Sequence, residues 1–272
     1  MPEARQPTIE DPLSTVRYAF AGDRDVAVWV LEYLLGTGSR PLALLTPARE
    51  RASHAHTLQH LCRDLEPYRM LRGFDFREPR RLRVLKELRL DFVVGVHFPL
   101  IVPAEVLAIP RVGFLNLHPA LLPHNRGWHT ASWSLLEQSP AGATLHFMDV
   151  GLDEGDIVHQ KALEPSPADT AHTLYEKLKR LEVEVFREAW PALVAGRYRR
   201  TPQKPGAGSA RRRADLSLVQ RVDLGETLRA GDLLRRLRAL TTNRIDEAAY
   251  FEAGGKRYRV QVRIEEEPGE GK

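Results

Sequence analysis

Cysteine is almost absent. Cys62 stands alone in 272 residues, which excludes an intrachain disulfide and any zinc site built from several thiolates. The histidines offer no substitute, because His97, His129, His146 and His159 do not fall into an H-E-x-x-H spacing, so no metal is expected. Long apolar runs are missing too. None approaches the roughly 18 residues a membrane span requires, and Met1 to Leu13 is polar and proline-bearing, without the apolar core of a signal peptide. These absences predict a cytoplasmic protein with no membrane partner, in a compartment that a lone cysteine suits. An excess of charge is scarce as well. Forty Lys and Arg oppose 36 Asp and Glu for a net +4, too small a surplus to indicate a nucleic-acid surface. The cations are overwhelmingly arginine, a bias that genome composition explains as well as phosphate recognition does. Finally, Gly22 to Ala27 lacks G-x-G-x-x-G after the first apolar run, which removes the dinucleotide-dehydrogenase pattern.

What is present alternates strand and helix. The apolar run from Val16 to Gly22 reads as a buried strand, and Asp23 to Asp25 open an apolar-periodic helix through Leu35, with Gly36 as its stop. Leu42–Leu45 reads as a strand, Thr57–Leu65 and Glu78–Leu88 as helices, and Phe92–Val96 as a strand covered on both faces. A short helix over Pro103–Ala108 leads to a strand over Val112–Leu117. This order predicts an α/β fold with a mostly parallel, Rossmann-like central sheet. A helix over Trp128–Glu137, strands over Thr144–Met148 and Ile157–Lys161, and a long helix over Thr170–Val194 follow. Leu174, Leu178, Leu181 and Val185 line one face of that helix, and Asp169 or Thr170 suits its N-cap.

Composition divides the chain into a disordered extension at 1–14, a main domain at 15–200, a linker at 201–214 rich in Pro, Gly and Ser, and a small C-terminal region at 215–272. That region reads as a helix over Glu226–Leu240 and a β-hairpin of Ala248–Glu252 and Lys256–Ile264 around Gly254 and Gly255. Tyr258, Val260, Val262 and Ile264 give its second strand one apolar face. An isolated hairpin is marginal in water, so this one must pack on the main domain or on another subunit. The charged tail from Glu265 to Lys272 reads as frayed.

The chemistry concentrates in Phe114–Thr130 and in the loop Asp149–Asp156. Asn116 and His118, two residues apart at a strand end, point out of one face of a sheet, and Pro119 stops the strand. Open α/β sheets form sites at such carboxyl edges. An Asn amide can meet a developing oxyanion, a His can move a proton near neutral pH, and Asp153 within reach would orient the imidazole. The turn from Gly22 to Arg24 lies at a helix start, so Asp23 and Arg24 are candidates to face a sugar or phosphate, or simply to cap the helix. Arg126, Trp128 and Tyr250 are further binding candidates, although aromatic residues in such places more often pack.

Together, Asn116 with His118, the Leu121–Pro123 turn, Arg126 with Gly127, and the loop from Asp149 through Gly151 and Asp153 to Gly155 resemble the formyltetrahydrofolate-dependent formyltransferases. That family carries N-x-H, L-L-P and D-x-G-x-D-x-G in this order. The resemblance covers roughly Val16 to Gly196. Within the family, His124–Gln160 and the tail from Arg238 to Ile264 look most like the sugar-nucleotide N-formyltransferases. It implies direct transfer of a formyl group from 10-formyltetrahydrofolate to the amine of a dTDP-linked 3-amino or 4-amino dideoxy sugar, for lipopolysaccharide or related surface glycans. It further implies that Asn116 and protonated His118 stabilise the oxyanion, or that His118 takes the amine proton, with Asp153 holding His118. The folate would lie against Val96, His97, Phe98 and Asp149, and the C-terminal hairpin would pair two subunits. Methionyl-tRNA formyltransferase shares these motifs but adds a larger barrel, for which too few residues remain. A non-catalytic folate- or nucleotide-binding relative is the alternative of a different class.

Overall fold

The computed structural model describes residues 16–267; the extension expected at 1–14 and the last five residues of the tail lie outside them. The chain forms two compact units, one ending at Asn116 and taking in Phe186–Arg199, the other made of Leu117–Val185 and Arg200–Lys272. These units cross the 15–200 boundary that composition suggested.

In the first unit, strands β1 (Tyr18–Gly22), β2 (Ala43–Thr46), β3 (Met70–Arg72), β4 (Phe92–Val96) and β5 (Gly113–His118) lie in the order β3-β2-β1-β4-β5. β1 pairs parallel with both β2 and β4, and β2 with β3. Helices α1 (Arg24–Gly36), α2 (Ala55–Leu61), α3 (Pro79–Glu87) and α4 (Ala104–Leu107) make the connections, as expected of parallel strands. Every residue of β1 and β4 is buried, which is why both read as continuous apolar runs. Helix α1 buries Val26, Ala27, Val30, Leu31 and Leu34, an i, i+4, i+8 stripe. The core centres on Trp190, which stacks on Phe186 at 5.4 Å and meets Tyr18 and Phe92 edge-on at 5.6 and 5.8 Å.

Strand β5 runs from the first unit into the second, where the order continues as β5-β7-β8. A two-residue strand β6 (Arg126–Gly127) and helix α5 (Thr130–Glu137) precede β7 (Ala141–Phe147), which pairs antiparallel with β8 (Ile157–Leu163). The pairing slips at Leu145 and His146. The long helix α6 (Ala171–Val194) begins here, with its Thr173 N–H capped by the Thr170 hydroxyl at 3.3 Å. Strand β9 (Ala210–Arg211), helix α7 (Ala230–Ala239) and the hairpin β10 (Ala249–Ala253) and β11 (Lys256–Val260) complete the unit. Ala131 and Leu135 of α5 pack with Leu174 and Leu178 of α6 and Ala239 of α7.

The stretch expected as a linker carries structure. Thr201 exchanges two 2.9 Å backbone hydrogen bonds with Ile157, and β9 pairs parallel with β6 through Arg126 and Ala210. Its Pro, Gly and Ser content reflects tight approach: Gly208, at φ 74°, leaves no room for a Cβ against the Pro123 carbonyl.

Candidate active site

Strand β5 ends with Asn116 and His118 on one face, because residues two apart in a strand point the same way. The following turn, with its cis Leu122–Pro123 peptide, is pinned from β7 by Thr144. That hydroxyl donates to Ala120 O at 2.7 Å and accepts the Leu122 N–H at 3.2 Å. Asn125 then sits buried at φ 56°. Its Nδ2 reaches the Ser134 and Ser139 hydroxyls, both at 2.9 Å, and its N–H donates to the Ser209 hydroxyl at 3.1 Å. So held, Asn125 offers its carbonyl to His118 Nε2 at 3.2 Å.

The other nitrogen of His118, Nδ1, lies 3.6 Å from Asp153 Oδ2. Both ring nitrogens therefore face oxygens, one a carbonyl and one a carboxylate. Asp153 is held in turn. The Gly127 N–H donates to its Oδ2 at 2.9 Å, and His146 Nε2 lies 3.6 Å from its Oδ1. His146 itself donates from Nδ1 to the Phe147 carbonyl at 2.8 Å. Burial pushes the Asp153 carboxyl up, but the charge of His118, the hydrogen bond and charge of His146, and the Gly127 N–H outweigh it and hold the group well below the usual carboxylate range. One carboxylate, an oxygen for each of two histidines, is the electrostatic centre of the site.

The loop bearing Asp153 is built for closeness. At Gly155 a Cβ would overlap the Phe147 carbonyl oxygen. Asp153 adopts φ 53°, a conformation that a non-glycine residue keeps only when its surroundings fix it. Arg126, nearly buried, joins Glu154 at 2.8 Å to the Ala207 carbonyl at 2.9 Å. Its guanidinium thus ties the loop at Glu154 to the chain at Ala207.

The structure brings His118 and Asp153 together and sets Asn116 two residues from His118. It distributes the other expected site residues differently. Val96 is buried, and its carbonyl accepts the Asp23 N–H at 3.3 Å. His97 turns the chain at φ 50°, and Phe98, half-buried, lies 6.1 Å from Phe76. The Asp149 carboxylate accepts the N–H of Gly151 in its own loop at 2.9 Å. Asp23 is buried. Its carboxylate accepts the backbone N–H groups of Ser53 and His54 at 3.0 and 2.8 Å, so the turn's polarity serves the neighbouring loop. Arg24 is exposed at φ 70°. Trp128 is 37% exposed with Arg213 over its ring at 5.4 Å. Tyr250 lies in the hairpin with the Arg257 and Arg259 guanidiniums 3.9 and 5.0 Å from its ring centre. Sequence reasoning missed His146 and Asn125. A signal existed for His146: Thr144 and His146 are polar at i and i+2 in an otherwise apolar strand, the pattern that marked Asn116 and His118.

Among the described residues no three His, Cys, Asp or Glu side chains are grouped as metal ligands, and no helix is long and apolar enough to cross a membrane.

Residues 47–190 match the family model described as formyl transferase, and residues 215–266 match one described as an N-formyltransferase dimerization C-terminal domain. The dTDP-4-amino-4,6-dideoxyglucose formyltransferase of Mycobacterium tuberculosis is 33% identical over 184 residues, 67% of this chain and 77% of that protein. A methionyl-tRNA formyltransferase of Myxococcus xanthus is 30% identical over 91% of this chain and 79% of its own. In fold, the chain is similar to a sugar N-formyltransferase from a Shewanella species, with a TM-score of 0.78 at 21% identity, covering 93% of this chain and 99% of that one. The N-formyltransferase of Helicobacter canadensis, solved with folinic acid and dTDP-3-aminofucose, aligns at a TM-score of 0.66 and 19% identity over 89% of this chain and 85% of its own.

Proposed function

The chain belongs to the formyl transferase family, and from that premise we propose that it moves a formyl group from 10-formyltetrahydrofolate to the amine of a dTDP-linked 3-amino or 4-amino dideoxy sugar. The observation that carries the reading is the His118 ring facing Asp153 at 3.6 Å, one residue pair beyond Asn116 on a single strand. The sugar formyltransferase of Mycobacterium tuberculosis supports the substrate class, and the folinic acid held by the Helicobacter canadensis enzyme supports folate as donor.

In the reaction the amine nitrogen bonds to the formyl carbon, and the bond from that carbon to folate N10 breaks. The amine loses one proton and N10 gains one. The Asn116 amide and the His118 imidazolium serve the oxyanion formed between those events, and Asp153 orients the ring. Because His118 Nε2 rests on the Asn125 carbonyl, that contact gives way for the ring to meet the oxyanion, and the new bond forms fully only in the reacting complex. His118 taking the amine proton instead would show as a basic group in the pH dependence of kcat/KM. No side-chain nucleophile is required, since holding the two substrates together removes much of the barrier. Val96, His97, Phe98 and Asp149 are assigned to the folate, for which the half-buried Phe98 ring suits a flat pterin. Arg24, Arg126, Trp128 and Tyr250 are assigned to the sugar nucleotide, and the reaction to the cytoplasm, as a step toward a surface glycan.

The test is turnover. Enzyme and 10-formyltetrahydrofolate are mixed with dTDP-3-amino, dTDP-4-amino and UDP-amino sugars, following tetrahydrofolate release and product mass. A formyl-mass gain on a sugar is expected. Formylation of methionyl-tRNA alone, or release of formate without any amine, overturns the reading.

The C-terminal hairpin pairs two copies in this proposal. Support comes from the dimerization-domain match at 215–266 and from Tyr258, Ile245 and Leu234, which stand 45%, 59% and 52% exposed. Sedimentation at micromolar concentration should give a dimer, and a monomer there would mean the hairpin packs within its own chain.

A further inference from the structure

Gln203 lies 50 residues from Asp153 in sequence, yet its side chain ends on the loop that carries that carboxylate. Its Nε2 donates to the Asp153 carbonyl at 2.8 Å and to the Gly155 carbonyl at 2.9 Å. Carbonyl oxygens only accept, so the amide nitrogen must be the atom that faces them; the reverse orientation would set an oxygen against two oxygens. Both hydrogens of one amide are thus spent on the two carbonyls that flank Glu154. Gln203 is itself steadied, two residues after Thr201, whose backbone is bonded in both directions to Ile157 at 2.9 Å.

This clamp falls where the loop has most to hold. Asp153 keeps a left-handed φ of 53° while its side chain receives the Gly127 N–H and faces His118 and His146. A backbone conformation of that kind is retained only when neighbours over-determine it. Gln203 Oε1 is buried and has no hydrogen-bond partner among the described residues, so the side chain is held through its two donated bonds alone.

We infer that Gln203 is a positioning residue, fixing the Asp153 carboxylate against His118 by clamping the backbone on both sides of Glu154. The inference rests on Asp153 acting in catalysis as proposed above. Without the clamp the carboxylate drifts from the charges and the N–H that hold its pKa down, and its ionisation moves toward the ordinary carboxylate range.

The experiment compares Gln203→Leu, Gln203→Asn and Gln203→Glu with the full-length enzyme, measuring kcat, KM, Tm and the pH dependence of kcat/KM. Gln203→Leu is expected to lower kcat/KM by about 10- to 100-fold, mainly through kcat, since small misplacements of a reacting group cost that much. Its acid limb moves to higher pH, and Tm falls modestly because two carbonyls lose their donor. The shorter amide of Gln203→Asn reaches only one carbonyl and falls between Gln203→Leu and wild type. Gln203→Glu sets a carboxylate against two carbonyls and is no better than Gln203→Leu. Wild-type kinetics in Gln203→Leu, or a fall in Tm and activity with an unmoved pH profile, overturns the inference. Asp153→Ala separates the two readings. If it keeps its turnover, the catalytic assignment fails; if it is inactive while Gln203→Leu runs at the wild-type rate, only the clamp fails.

Discussion

His118→Ala is expected to fold and to lose about 10³-fold in kcat/KM, within the range a positioned proton-transfer or oxyanion group supplies. The fold should survive because the ring makes few structural bonds. It contributes one 3.2 Å contact to the Asn125 carbonyl, and Asn125 keeps its own ties to Ser134, Ser139 and Ser209. Asp153 likewise keeps the Gly127 N–H and its approach to His146. The same argument predicts a comparable loss for Asp153→Ala, since nothing then faces Nδ1 to orient the ring. Circular dichroism melting and steady-state release of tetrahydrofolate decide it. Near-normal turnover in either variant would remove this pair from the mechanism.

Gly155→Ala should be more damaging than a single methyl suggests. The new Cβ overlaps the Phe147 carbonyl oxygen, a backbone atom that cannot swing aside as a flexible side chain could. That oxygen accepts the His146 Nδ1–H at 2.8 Å, and the Phe147 N–H bonds the Asp156 carbonyl at 2.8 Å. Relief of the clash therefore moves His146, the loop and Asp153 together. A loss of about 3 kcal/mol in stability is expected, at the upper end of ordinary substitutions, with activity at 25 °C down by about 10²-fold or more. Gly36→Ala serves as the control, because nothing lies within 4 Å of a Cβ there and the position ends a helix. Urea denaturation of both variants makes the comparison, and equal stability would show that the loop yields more easily than its geometry implies.

Much of the parallel frame was legible in the sequence. Phe92–Val96 coincides with β4 because a strand buried on both faces has no polar residue to blur its ends. Boundaries failed where a partner decides them. The alternation of the last strand continues to Ile264, but the ladder stops at Val260 because β10 supplies only five residues to pair, ending at Ala249. Strand β7 begins at Ala141, three residues before its expected start, since small residues carry little strand signal and Gly142 is there for close approach to the Lys161 carbonyl. The helix expected from Trp128 starts at Thr130 because Gly127 and His129 both take positive φ. Spacing places Asn116 and His118 on one strand face, as the structure has them, and could have marked His146 likewise, whereas Gln203 meets the Asp153 loop only through contacts made across the fold. Residue type alone could not show that the Asp23 carboxylate accepts the Ser53 and His54 N–H groups of the neighbouring loop.

The return of residues 200–211 to the turn after β5 sets where this protein can be cut and rejoined. A chimera joined at residue 200, the seam that composition recommends, would take Gln203, Ala207, Ser209 and β9 from a foreign chain while keeping Asp153, Arg126, Asn125 and β6 from this one. Donor and recipient would then have to match at a parallel strand pair, at the close approach of Gly208 to the Pro123 carbonyl and at the Gln203 amide. A junction after Arg211 transfers the hairpin region and leaves the site with its own supports. The unit that must travel together is therefore longer than the domain that the motifs mark out.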